Sequence, residues 1–224
     1  MIKLNGLLLK SVALITMIID HYGAIFQPTE MTFRMIGRLA FPIYCFLLVE
    51  GFIHTRNIKR YALRLLVFAL ISEIPFDYAF YRGLNWGHQN IFFTLLIGLI
   101  AMYFIERKDV QESATPLIAV GAAAAATFLA TDYSFIGIIY ILVFYYTRNI
   151  PAIRRMSLAA GIIFLTNLVS TGWIQQYSLL SLPILLTYNN KPGPKIKPLQ
   201  YSFYLAYPAH LALFAAIILG YLSF

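Results

Sequence analysis

The chain is poor in charge and almost devoid of cysteine. Its 224 residues hold one cysteine, and Asp, Glu, Lys and Arg together make up 12% of them, against 60% hydrophobic residues. A soluble domain carries about 25% charged and about 45–50% apolar residues, so this balance excludes an ordinary water-soluble enzyme. The lone Cys45 has no partner for an internal bridge and stands in an apolar run away from other metal ligands, which removes a disulfide scaffold and a cysteine-based metal site. Acidic residues are scarcer than basic ones, 9 against 17, for a net charge of +8. The basic residues fall in short clusters between apolar runs, the arrangement of topogenic loops, so nucleic acid is not the expected partner. HExxH and Gly-rich phosphate-loop motifs are missing, and no metal cofactor is expected.

What fills the chain instead is a series of apolar runs of the length that crosses a bilayer, about 17–25 residues. They predict helices at 5–26, 34–54, 61–80, 90–106, 115–131, 133–147, 156–172, 174–188 and 200–222. The expected fold is therefore all-α, a polytopic integral membrane protein of about nine (8–10) transmembrane helices forming a single transmembrane domain over 1–224. Lys10 interrupts the first run and no small-residue cleavage site follows, so this run is expected to stay in the mature protein rather than leave as a signal peptide. With the N-terminus inside, all of the 17 basic residues except Arg34, Arg38 and Arg82 collect at cytoplasmic ends, among them the loop residues Lys191, Lys195 and Lys197. The positive-inside rule then predicts a multi-pass protein of the cell membrane with a cytoplasmic N-terminus.

Ionisable side chains inside such spans are costly and by default face an interior or a pathway. Here they gather toward one side of the membrane: Asp20 and His21 late in the first span, Arg34 and Arg38 early in the second, Glu73 and Asp77 late in the third. His88, Gln89 and Asn90 open the fourth span, Asp132 follows the fifth, and His210 lies within the last. Arg34/Arg38 and Glu73/Asp77 are each four apart and share a helix face, which suggests that the two pairs neutralise each other. A buried ion-pair network serving only to hold helices together would have the same composition. His54, beside Thr55 and Arg56, reads as a packing residue.

His21 reads differently. Lys10 precedes it by eleven residues, which at about 100° and 1.5 Å per residue places both on one face about 16 Å apart along the axis. Asp20 points about a quarter turn away, so Glu73, Asp77 or Asp132 from another helix is the expected orienting partner for the imidazole. Imidazole and carboxylate in a partly dry cavity make a general base, and the same parts make a proton relay in a transporter. At the other end, the segment HTRNIKRYALR (54–64) is dense enough in Arg and Lys to hold phosphate groups.

The segments MIIDH (17–21), IGRLAFPIYCFLLVEGFIHTRN (36–57), YALRLLVFALISEIPFD (61–77), NIFFTLLIG (90–98) and YLAYPAH (204–210) together resemble the TraX family. Its best-known member acetylates the N-terminus of a conjugative pilin subunit. The Lys10-to-His21 spacing is also similar, more loosely, to the first helix of the acyltransferase-three membrane enzymes. The resemblance implies a transmembrane acyltransferase moving acetyl from cytosolic acetyl-CoA to a peptide, amine or glycan acceptor outside. It implies His21 as base, with Glu73 or Asp77 fixing its tautomer, and Lys10, Arg56, Arg60 and Arg64 on the CoA phosphates. His88, His210, Arg38 and Asn90 would stabilise the oxyanion or position the acceptor, with Asp20, Arg34 and Asp132 around them. A small transporter or flippase using a His/carboxylate relay, or a non-enzymatic membrane assembly factor, are the alternatives.

Overall fold

A computed structural model of the protein describes residues 3–170, 172–194 and 197–221; Lys195 lies outside them, as does the side chain of Lys197. Ten α-helices follow in order: α1 Gly6–Phe26, α2 Met31–Gly37, α3 Ala40–His54, α4 Ile58–Tyr81, α5 Ile91–Ile105, α6 Thr115–Phe128, α7 Ser134–Tyr146, α8 Ala152–Ser170, α9 Ser181–Leu186 and α10 Lys197–Ile218. A 3₁₀ segment, Trp173–Leu180, precedes α9.

Asparagine starts three of these helices. The side-chain oxygens of Asn5, Asn57 and Asn90 accept from the backbone N–H of Leu8, Arg60 and Phe92 at 2.9, 2.9 and 3.0 Å, satisfying donors that a helix leaves without an intrahelical acceptor. The single span expected over 34–54 divides into α2 and α3. Pro42 lacks an N–H and its ring conflicts with the carbonyl four residues back, that of Arg38, so the helix stops at Gly37 and restarts with Pro42 in its first turn. The span expected at 174–188 is likewise broken, into the 3₁₀ segment and the six residues of α9.

Among the described residues four helical stretches are long and apolar enough to cross a membrane: Gly6–Phe26, Met31–His54, Ala152–Val169 and Tyr201–Ile218. Ile91–Ile105 and Ser134–Tyr146 are apolar but shorter. The outside of the molecule is greasy: Leu63, Leu70 and Ile74 on α4, Leu117, Val120 and Phe128 on α6, and Leu165, Leu168 and Val169 on α8 are all exposed. Buried polar groups, Asp20, His21, Asp77, Asn90, Asn167 and His210 among them, lie inside. Contiguous apolar surface on this scale marks contact with a membrane.

The interior is organised by α1, which packs against α2, α3 and α10, while α10 also lies along α4. Close approach of α1 and α2 depends on Gly37, since a Cβ there would stand 2.1 Å from Asp20 Oδ1. At the end of the bundle that holds Asp20, the loop after α4 joins the loop after α6: Gln89 donates to Ala130 O at 3.0 Å and accepts from Asp132 N at 2.8 Å. Thr94 donates to the carbonyl of Asp132 from the side.

Candidate functional site

Two cavities lie end to end in the bundle. The first, about 250 Å³, is lined by Asp20, His21, Arg34, Arg38, Tyr81, His88, Asp132 and Tyr133 together with Phe41, Phe76 and Phe80. The second, about 350 Å³, is lined by Lys10, His54, Arg64, Leu47, Leu95 and the aromatic rings of Tyr61, Phe92, Phe203 and Tyr204. Met17, Tyr44, Ile91 and Tyr207 face both and form the partition between them. Lys10 and His21, predicted to share a face of one helix, thus stand in different cavities on either side of that partition.

In the first cavity the charges neutralise one another. Asp20 accepts from Arg38 Nη2 at 2.6 and 2.7 Å and from Arg34 Nη1 at 2.8 Å. This overturns the expected pairing of the two arginines with Glu73 and Asp77, because α1 with Asp20, rather than α4, lies against α2. Arg38 also donates to Gln175 Oε1 at 3.1 Å, a residue of the 3₁₀ segment that the apolar pattern gives no reason to single out. Asn167, Tyr140 and Ser178 continue this polar cluster: Tyr140 Oη donates to Asn167 Oδ1 at 2.7 Å.

Glu73 and Asp77 are engaged elsewhere. Glu73 Oε2 accepts from Asn90 through both backbone N–H and side chain, and Asp77 Oδ2 accepts from Asn85 N at 2.9 Å. Asn90 gives its amide to Ala69 O and Glu73 and its oxygen to the first turn of α5, so it is a brace between α4 and α5 and not a free donor for an oxyanion. Asp132 stands 3.8 Å from His88 Nε2. His88 lies in the loop between α4 and α5, where the nearby Asp132 carboxylate, more than the opposing burial, holds its pKa above the ordinary 6.5.

His21 has a partner that its carboxylate neighbours had concealed. Its Nδ1 lies 2.7 Å from Nε2 of His210, a residue 189 positions away on α10. His210 Nδ1 lies 2.7 Å from the carbonyl oxygen of Ala206. A carbonyl only accepts, so His210 carries its proton on Nδ1 and presents the lone pair of Nε2. His21 must then donate from Nδ1, which leaves its own Nε2 unprotonated. A histidine and a carbonyl therefore do the orienting that Glu73, Asp77 or Asp132 was expected to do. Phe80 and Tyr207 meet the His21 ring edge-on, with centroids at 5.3 and 5.8 Å.

The second cavity has the opposite electrostatic character. Lys10 and Arg64 are half-buried, and among the described residues neither forms an ion pair with a carboxylate. Arg64 lies over the rings of Tyr61 and Tyr204 at 5.4 and 5.7 Å. Arg56 and Arg60 are exposed around the start of α4 and do not line the cavity. His54 bonds through Nδ1 to Glu50 O in its own helix at 2.8 Å and is exposed, not packed in the interior. Among the described residues no three His, Cys, Asp or Glu side chains are grouped to hold a metal ion.

An all-helical bundle with an apolar exterior and a charged, hydrogen-bonded interior is the build of a membrane-embedded protein. The family described as TraX protein matches residues 5–218, and this chain belongs to it. The chain is 32% identical over 236 residues to the probable fimbrial assembly protein FimC, serogroup H1, of Dichelobacter nodosus, covering 95% of each chain. It is 25% identical over 220 residues to protein TraX of Escherichia coli, with 95% of this chain and 86% of the other aligned. An uncharacterized Rickettsia prowazekii protein, RP591, is 30% identical over 101 residues, 45% of this chain and 38% of that one. No solved structure matches.

Proposed function

We propose that the protein is a transmembrane acyltransferase that takes an acetyl group from acetyl-CoA in the cytosol and transfers it to an amine or hydroxyl on the outer side. The observation that carries this reading is the hydrogen-bonded chain Ala206 O, His210, His21, which leaves an unprotonated imidazole nitrogen at a cavity wall. A general base needs a lone pair, a fixed tautomer and access to the proton it removes. His21 Nε2 has the first two from its partners and the third from the cavity it lines.

The donor enters the second cavity. Unbalanced Lys10 and Arg64 suit the phosphates of the nucleotide, and the apolar, aromatic walls beyond them suit the pantetheine arm. The thioester then reaches the partition, and an acceptor in the first cavity attacks its carbonyl carbon while His21 removes the proton. Arg34 and Arg38, held in place by Asp20, frame the acceptor. The bundle crosses the membrane about nine times, with the Lys10 end cytosolic in keeping with its basic loops. The Dichelobacter relative, a probable fimbrial assembly protein, favours a fimbrial subunit as the acceptor.

The reading is tested by reconstituting the purified protein in vesicles with radiolabelled acetyl-CoA on one side and amine, peptide or sugar acceptors on the other. Label should cross to the acceptor only when acetyl-CoA is on the Lys10 side. Intact acetyl-CoA after incubation with every acceptor class contradicts the proposal.

A further inference from the structure

The partition between the two cavities contains a polar group that neither cavity's chemistry has yet used. Tyr207 is 3% exposed and belongs to the walls of both cavities. Its ring meets His21 and His210 edge-on, with centroids at 5.8 and 5.7 Å, and on the other side meets Phe92 at 5.2 Å. Among the described residues the hydroxyl makes no hydrogen bond of full geometry. A buried hydroxyl left unpaired costs about 1–3 kcal/mol, and phenylalanine would fill the same space without that cost. Ile91, the first residue of α5, lines both cavities too, and its backbone N–H faces the Tyr207 hydroxyl. At the first position of a helix an N–H has no acceptor within the helix, and the positive end of the helix dipole adds to it.

We propose that the Tyr207 hydroxyl and the Ile91 N–H form the oxyanion hole of the acyl transfer, at the one place where a thioester coming past Lys10 can meet a nucleophile beside His21. The assignment rests on the acyltransferase reading. The acceptor's nitrogen or oxygen bonds to the carbonyl carbon and passes its proton to His21 Nε2. The carbonyl π pair moves onto oxygen, where Tyr207 and Ile91 donate to it. Collapse restores the carbonyl, breaks the carbon–sulfur bond and releases the CoA thiolate, which takes the proton back from His21. Both donors already line the partition before the reaction begins, so they are at hand as the negative charge develops.

The test is Tyr207→Phe, which removes the hydroxyl and keeps the ring. The expected result is a fall in kcat of about 10²–10³-fold with KM for acetyl-CoA unchanged, and a thermal midpoint in detergent equal to or above wild type. A purely structural tyrosine gives a lower midpoint with no such separation of kcat from KM, and that outcome overturns the role. Wild type that transfers acetyl while Tyr207→Phe transfers it equally well overturns the oxyanion hole alone. Folded wild type that leaves acetyl-CoA intact with every acceptor overturns the acyltransferase reading and this role together.

Discussion

The two cavities share a wall but handle charge in opposite ways. Around His21, each charged group is answered: Asp20 by Arg34 and Arg38, Asp132 by His88. Around Lys10 and Arg64 no carboxylate answers among the described residues. Balanced charge fixes side chains and keeps a chamber's field low, which suits a site where protons move. Unbalanced cations inside a membrane protein are costly and are retained where an anion from elsewhere will supply the balance. Removing a charge should therefore have opposite consequences on the two sides.

The largest effect is expected at Asp20. Asp20→Ala strands Arg34 and Arg38, and loss of one partner of a buried pair costs about 3–5 kcal/mol; thermal unfolding in detergent measures it. Lys10→Ala in the same assay should leave stability unchanged or raise it, because no partner is stranded. A drop as large as that of Asp20→Ala would mean that Lys10 is also internally balanced and would dissolve the distinction.

His210→Phe comes next. It keeps an aromatic ring on α10 but removes the acceptor that fixes the His21 proton, so kcat should fall about 10²-fold while acetyl-CoA binding persists. Unchanged turnover would show that the tautomer is set by another group.

The smallest effect belongs to the outer rim. The pKa of His88 is raised by Asp132, so the pair stabilises the protein fully below the ordinary His88 value of 6.5, and the contribution disappears as pH rises through the raised value. Solvent screens the pair, which is more than a third exposed on the His88 side. Hydrogen exchange of the 82–90 loop should therefore speed up modestly through that rise, and Asp132→Asn should abolish the pH dependence. A loop whose protection ignores pH in both proteins would separate His88 from Asp132.

Much of the fold could be read from apolar run lengths. The first helix was expected at 5–26 and occupies Gly6–Phe26, and the fourth was expected at 90–106 and occupies Ile91–Ile105. The breaks were less visible, because Pro42 interrupts a stretch whose hydropathy is continuous and the run over 174–188 divides into a 3₁₀ segment and a six-residue helix. For the site, the cost of charge in lipid identified which residues need partners; of those it gathered, Asp20, His21, Arg34, Arg38, His88 and Asp132 line one cavity, while Glu73, Asp77, Asn90 and His210 are not on its walls. It carried no information on which partner each would take. That choice follows from helix packing: Gly37 admits Asp20 between the arginines, and α10 brings His210 across 189 residues to His21. Tyr207, Tyr44, Met17 and Ile91 look like ordinary membrane residues in sequence, and only their place in the partition gives them meaning.

The central claim is that one cavity binds the acyl donor while the other carries out the proton transfer. Steady-state kinetics of Lys10→Ala and His21→Ala with acetyl-CoA and a working acceptor test it most directly. The account predicts that Lys10→Ala raises KM for acetyl-CoA about tenfold with kcat preserved, and that His21→Ala lowers kcat by about 10²–10⁴-fold with that KM preserved. Full turnover by His21→Ala, or a loss of kcat without a change in KM for Lys10→Ala, would contradict it.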